Sequence, residues 1–126
     1  MSQQPNILLI NEFGIYPELI AALREAGYPI TIEHLMRKAI KHVKKQTPDI
    51  VIAEFAHEGA FRDRVSNLES MLAQVEGGAG KTRTIVFYAA ERRQYLDRVL
   101  EVFKIDICLQ QPVTGEQLIE AVKSQQ

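Results

Sequence analysis

The feature that most constrains this chain is an unbroken apolar run in its first half. Residues 47–55 read TPDIVIAEF, with three consecutive β-branched side chains and no polar alternation. This pattern is typical of a strand covered on both faces, as in a parallel sheet. The run ends on a carboxylate, Glu54, at the place where open parallel sheets keep their ligand crevice. Glu54 is therefore the first candidate for a functional residue.

Four further apolar runs alternate with amphipathic segments of helical period. They predict strands at residues 6–10, 30–32, 84–88 and 105–109. Helical spacing is clear around residues 19–23, 35–43, 61–75, 95–103 and 118–122. Thr114 with Gln117 three residues later fits a capping box that opens the last helix.

Five strands alternating with five helices predict an α/β fold of the flavodoxin-like type. The expected architecture is a doubly wound parallel sheet of order 2-1-3-4-5, with helices on both faces. That order places the crevice between the ends of the first and third strands, at Asn11, Glu12 and Glu54.

Length and composition favour one soluble domain over residues 1–126. The formal net charge of −1 gives no overall attraction to nucleic acid or to an acidic membrane. The single cysteine, Cys108, excludes an intrachain disulfide and is most simply a small core residue. The first five residues lack the regions of a signal peptide, so a cytoplasmic location is expected.

Two local patterns have simple structural interpretations. The segment around residues 35–45 carries five Lys and Arg side chains opposite its apolar positions, as expected of a solvated helix face. Gly80-Lys81-Thr82 matches the end of a phosphate-binding loop, but Val75 stands where that motif requires glycine. The segment also runs from helix to strand, the reverse of a P-loop, so nucleotide binding is not predicted.

The order and spacing of these elements resemble the receiver domain of two-component response regulators across essentially the whole chain. The strongest match is residues 47–54, because in receivers a Pro-Asp pair and an apolar strand lead to the aspartate that accepts phosphate. On this resemblance the phosphoacceptor position is Glu54, the acidic pair is Asn11 and Glu12, and the conserved lysine is Gln111. The switch Thr/Ser falls on Tyr88 or on Ala89, depending on register.

The resemblance also implies two structural properties. Receivers commonly hold the peptide bond after their lysine cis, so Gln111–Pro112 is expected to be cis. They often pair through the fourth helix, fifth strand and fifth helix, which makes a homodimer through that face an expectation. Its candidate apolar residues are Tyr95, Val102, Ile107 and Ile119.

Every position that the resemblance makes catalytic is altered. Glu54 is longer than aspartate, Asn11 removes one charge from the acidic pair, and Gln111 is neutral. Phosphoryl transfer depends almost wholly on placed charge. The sequence therefore predicts a pseudo-receiver that is not an enzyme, needs no cofactor, and signals by binding protein partners such as a histidine kinase or an output protein.

Alternatives of other classes stay open at this stage. One is an active phosphoacceptor or a metal-dependent site using Glu12 and Glu54, with His57 and Glu58 as further candidate ligands for a divalent cation. A second is a flavodoxin-like ligand binder, although the loop after the first strand lacks the Ser, Thr and Gly density that cradles phosphate. A third is that Glu54 permanently imitates the phosphorylated state with one negative charge in place of roughly two.

Overall fold

The predicted sheet and its strand order are confirmed. The computed structural model of the protein describes residues 4–14, 16–57, 66–78 and 81–125. These residues form one parallel sheet of order β2-β1-β3-β4-β5. The strands are β1 (Ile7–Ile10), β2 (Ile30–Glu33), β3 (Ile50–Glu54), β4 (Arg83–Tyr88) and β5 (Ile107–Gln110).

Five α-helices among the described residues connect and cover these strands. They are α1 (Pro17–Glu25), α2 (Met36–Gln46), α3 (Glu69–Glu76), α4 (Arg93–Leu100) and α5 (Gly115–Ser124). A single 3₁₀ turn (Ala90–Arg92) leads into α4. None of the described helices is long and apolar enough to cross a membrane.

The sheet is buried on both faces, as the unbroken apolar runs predict. The six strand residues expected in the core are all inaccessible to solvent: Ile7, Leu8, Leu9, Ile50, Val51 and Ile52. Because successive side chains of a strand point to opposite faces, they divide between two cores. One core lies between the sheet and the pair α1 and α5, and the other lies between the sheet and α2, α3 and α4.

Local signals at the helix ends are largely confirmed. Pro17 opens α1, and Gly27 follows the helix with a φ of +87°, a conformation that glycine adopts without strain. Thr114 and Gln117 form the predicted capping box, with the Thr114 Oγ1 accepting from Gln117 N and the Gln117 side chain accepting from Thr114 N. Each of these contacts is between neighbours in sequence, which is why sequence could predict them.

The structure corrects two predicted boundaries at the strand and helix starts. β5 begins at Ile107 and not at residue 105, because Asp106 turns its carboxylate toward Thr84 N (2.8 Å) and Thr84 Oγ1 (3.3 Å) before the strand starts. The helix predicted over residues 61–75 begins only at Glu69 in the described part of the chain. Residues 58–65 lie outside the described residues, and residues 66–68 form a turn in which Ser66 Oγ accepts from Leu68 N.

Candidate functional site

The candidate site lies at the carboxyl edge of the sheet, where the predicted crevice was expected. Glu54 is the last residue of β3, and Asn11 and Glu12 directly follow its neighbour β1. All three are partly buried. Asn11 N donates to Glu33 O at 2.8 Å, so the chain stays aligned with β2 for one residue beyond the end of β1. The structure therefore brings the predicted residues to one edge, on adjacent strands.

Gln111 meets Glu54 across this crevice. The Gln111 Nε2 donates to Glu54 Oε1 at 3.3 Å, although 57 positions separate the two residues in sequence. Gln111 N also donates to Tyr88 O at 2.8 Å, which anchors the residue just past the end of β5. The peptide bond between Gln111 and Pro112 is cis, as the resemblance predicted.

Asn67 is the residue of the site that sequence reasoning missed. Its Nδ2 donates to Glu12 Oε1 at 2.8 Å and to the backbone oxygen of Glu54 at 3.0 Å. Its Oδ1 accepts from Ala56 N at 2.8 Å. One side-chain amide thus ties the loop after β1 to the end of β3, and all of its hydrogen-bonding groups except one lone pair are used.

A weak signal for Asn67 was present in the chain. Ser66 and Asn67 are two short polar residues inside a segment that otherwise has an apolar helical period. Such residues hydrogen-bond to nearby backbone and favour turns over helix interiors. Here they end the loop before α3, and Glu69 accepts from Ser66 N at 2.9 Å, so Asn67 is held outside the helix.

Both carboxylates at the site accept hydrogen bonds from neutral amides. Glu12 accepts from Asn67 and Glu54 accepts from Gln111, while among the described residues no Lys or Arg forms an ion pair with either. In the described part of the chain, the donors that meet these carboxylates are therefore neutral amide N–H groups.

The proposed set of additional metal ligands is only partly described. His57 stacks on Tyr95 of α4, with ring centroids 3.8 Å apart and an angle of 11° between the planes. Glu58 lies outside the described residues. Within the described ranges, His, Cys, Asp and Glu side chains do not gather in a group of three or more able to hold a metal ion.

Strand alternation separates the two candidates for the switch position. Tyr88 is buried in the core beneath α2, α3 and α4, while Phe87 belongs to the core beneath α1 and α5. Ile52 of β3 belongs to the same core as Phe87. Glu54 lies two residues after Ile52 and therefore on the same face of the sheet as Phe87. By the same alternation Ala89 lies on the Glu54 side of the sheet, and Tyr88 does not.

Tyr88 and Cys108 interact with α4 instead of with the crevice. The Arg93 guanidinium lies over the Tyr88 ring, 5.1 Å from its centroid. The pKa of the Arg93 guanidinium is raised. The main cause is hydrogen bonding with the Tyr88 side chain, and Asp97 raises the pKa further. Cys108 is half-buried, and burial raises the pKa of its thiol. These groups form part of the packing between β4, β5 and α4.

Comparisons with known proteins agree on the fold. No protein-family model matches the chain, and no curated protein sequence matches it. The structure is similar to a response regulator receiver domain from Clostridium thermocellum, with a TM-score of 0.76, 14% identity, and 96% of this chain and 93% of that chain covered. It is also similar to the REC domain of AraT, a response regulator from Geobacillus stearothermophilus (TM-score 0.74, 12% identity, coverage 98% and 93%).

A third similar structure is a DNA-binding response regulator of the LuxR family from Staphylococcus aureus. The TM-score is 0.71, the identity is 16%, and the match covers 96% of this chain and 98% of that chain. At such identities the likeness establishes the receiver-type fold over nearly the whole chain. The chemistry at the crevice has to be argued from the side chains of this protein.

Proposed function

We propose that this protein is a non-catalytic pseudo-receiver that acts in signalling by binding other proteins. Glu54 stands at the phosphoacceptor position and is not phosphorylated. The partners are proteins of a two-component system, a histidine kinase or an output protein, and the site of action is the cytoplasm. Nucleic acid and membrane are not partners.

The observation that carries the proposal is the pairing of both crevice carboxylates with side-chain amides. Asn67 and Gln111 direct N–H groups at Glu12 and Glu54. A phosphoryl-transfer site needs these oxygens to meet a hard cation and an incoming phosphoryl group. With the amides in place, each carboxylate already has a hydrogen-bond donor. The arrangement suits a structural crevice better than a reactive one.

The remaining positions weaken phosphoryl transfer further. Asn11 brings no charge to the acidic pair, Gln111 brings none to the incoming oxygens, and Ala89 brings a methyl group where receivers have a hydroxyl. Loss of a single preorganised electrostatic group typically costs about 10²–10³ in rate. Several such losses together reduce transfer below detection.

One observation favours the alternative of an active phosphoacceptor or metal-dependent site. Glu12 and the end of β3 are close enough to share the Asn67 amide, and neither Glu12 nor Glu54 is paired with a Lys or Arg in the described part of the chain. If Asn67 moved aside, the Glu12 carboxylate and the Glu54 backbone oxygen would both lose the donor that they share. A divalent cation would then find oxygen ligands of the kind that it prefers.

Intact-mass spectrometry after incubation with acetyl phosphate and Mg²⁺ decides between the two. The proteins are wild type, Glu54→Asp, Glu54→Gln, and the matched control Glu33→Asp at the end of β2, with a receiver domain known to accept phosphate as the positive control. We expect no phosphoryl adduct on any of the four. An adduct on wild type that Glu54→Gln removes would overturn the proposal. An adduct on Glu54→Asp alone would show that side-chain length silences the site, and that Gln111 and Asn11 do not.

A further inference from the structure

A second surface at the same edge of the sheet combines exposed apolar side chains with exposed cations. Phe13, Tyr16 and Leu35 are 51%, 52% and 45% exposed. Together with Val102 they are the exposed large hydrophobic residues of the described chain. Three of these four lie on two neighbouring loops.

The two loops are held together by backbone and side-chain contacts. Phe13 follows β1 and Leu35 follows β2, which are paired strands. Asn11 N donates to Glu33 O at 2.8 Å, and His34 Nδ1 lies 3.2 Å from Asn11 O. The apolar residues therefore project from one braced corner of the molecule. Each of the two half-exposed aromatic side chains presents roughly 100 Å² of surface at this edge of the sheet.

The start of α2 places cations beside this patch. Leu35 immediately precedes α2, and Arg37 and Lys38 lie in its first turn, with Lys41 one turn further on. All three are exposed, and within the described ranges none of them forms an ion pair. The helix also carries Lys44 and Lys45 and has no Asp or Glu along its length. We call Phe13, Tyr16, Leu35, Arg37, Lys38 and Lys41 together the apolar–basic surface.

Helix stability does not explain these cations. The positive end of the helix dipole lies at the N-terminus, so the positive charges of Arg37 and Lys38 are disfavoured there. The first turn of α2 contains no acidic residue that would offset them. Positive charge is thus concentrated at the helix start that directly follows the exposed Leu35, at a cost to folding. Exposed apolar side chains together with charged groups are the composition of a binding surface with apolar anchors and a charged rim.

We propose that the apolar–basic surface binds an acidic segment of a partner protein that carries apolar or aromatic side chains. The proposal rests on the proposed function in that it names the chemistry of the protein partner. Charge complementarity identifies the partner as anionic. A second copy of this chain does not fit, because pairing the same face would oppose like charges and no described helix carries more than two carboxylates.

Nucleic acid is the other anionic class, and the observations favour it less. The sequence pI is about 6.3 and the net charge is −1, whereas nucleic-acid-binding domains are usually strongly basic. Leucine beside phenylalanine also matches apolar side chains of a protein better than it matches stacked bases.

The test uses synthetic peptides as probes and the ¹⁵N-labelled protein of residues 1–126. Two acidic peptides carry Leu and Phe among Glu and Asp, one at helical spacing and one alternating as a strand. A third peptide has the same charge with serine at the apolar positions, and a single-stranded oligonucleotide of similar charge is the fourth probe. Amide chemical-shift changes map the site, and fluorescence anisotropy of labelled probes gives affinities at low and high salt.

Two pairs of variants locate the binding. Lys38→Glu with Lys41→Glu is compared with Arg98→Glu with Lys123→Glu, which changes net charge equally on α4 and α5. Phe13→Ser is compared with Val102→Ser, another exposed apolar residue. Thermal unfolding of each variant checks that it is folded.

The expected result is saturable binding of at least one acidic–apolar peptide, with shifts centred on residues 12–14, Tyr16 and residues 34–41. The Lys38/Lys41 pair of substitutions should weaken it about tenfold, and the control pair by less than about threefold. Phe13→Ser should weaken it and Val102→Ser should not.

Four outcomes would overturn the proposal. The first is the absence of a saturable chemical-shift change with either acidic–apolar peptide up to about 1 mM. The second and third are binding of the serine peptide with the same affinity as the acidic–apolar peptides, and binding of the oligonucleotide with higher affinity. The fourth is that the control variants lose as much affinity as the variants of the apolar–basic surface. Mass spectrometry on the same protein separates this proposal from the proposed function. A phosphoryl adduct together with peptide binding would refute only the proposal that the protein is non-catalytic. If neither an adduct nor peptide binding were observed, only the proposal that the apolar–basic surface binds a partner would be refuted.

Discussion

Removal of the Asn67 side chain should destabilise the protein more than any other single change at a half-buried polar residue of the crevice. Asn67→Ala deletes hydrogen bonds to Ala56 N, Glu12 Oε1 and Glu54 O. The backbone bond from Asn67 N to Ala56 O remains, at 3.3 Å. The loop after β1 then loses its direct link to the end of β3.

The magnitude follows from the partners of each hydrogen bond. The bonds to the two backbone groups are neutral and are worth about 0.5–1.5 kcal/mol each, while the bond to a carboxylate is worth about 1.5–3 kcal/mol. Asn67 is only partly buried, so water replaces some of this loss. We expect the free energy of unfolding to fall by about 2–3 kcal/mol. For a domain of this length, that corresponds to a drop in Tm of roughly 8–11 °C.

The assay is urea and thermal unfolding followed by circular dichroism. The matched control is Ser70→Ala, an exposed position on α3, which should change the free energy by less than about 0.5 kcal/mol. A loss below about 1 kcal/mol for Asn67→Ala would show that the amide does not hold the crevice together. The loop after β1 and the end of β3 would then be held together by other contacts.

Asn67→Asp tests the electrostatic part of the same reasoning. The new carboxylate can still accept from Ala56 N, but it faces Glu12 and the Glu54 carbonyl without an N–H to donate. The two like charges repel each other, so this variant should be less stable than Asn67→Ala in urea unfolding at neutral pH. Mg²⁺ or Ca²⁺ should raise its Tm and leave that of wild type unchanged. An equal rise in the Tm of wild type would contradict the conclusion that the Asn67 and Gln111 amides already occupy the crevice carboxylates.

Three further predictions concern the rest of the molecule. Thr114→Ala removes the capping box of α5 and should cost about 1 kcal/mol of unfolding free energy in urea titrations, whereas no loss would show that the cap is dispensable. Because burial raises the pKa of Cys108, its thiol should react with a disulfide reagent at pH 8 more slowly in the folded protein than in urea, and equal rates would contradict this. Self-association is expected through the face of α4, β5 and α5, where Val102 is 70% exposed. Val102→Asp should therefore abolish dimers in analytical ultracentrifugation. A monomeric wild type at high concentration would refute this prediction.

Sequence alone determined the fold of this protein, because the signals for it are local and repeated. Unbroken β-branched runs identify strands buried on both faces, and the helical periods between them require crossover connections of one hand. The order 2-1-3-4-5 was expected as that of a flavodoxin-like fold, and it places Glu54 at the carboxyl edge beside Asn11 and Glu12. The capping box of Thr114 and Gln117 was equally predictable, since both partners lie within one helical turn.

Tertiary structure decided how the crevice is closed and what surrounds it. Asn67 contacts Glu12 over a sequence separation of 55 residues, and Gln111 contacts Glu54 over a separation of 57 residues. No local sequence pattern predicts either contact. The face on which Tyr88 lies depends on the register of β4 against β3, which only the assembled sheet fixes. Side-chain amides have no periodicity that reveals their partners. Their hydrogen bonds form only after the apolar runs have packed, and the packing then determines which groups come within reach.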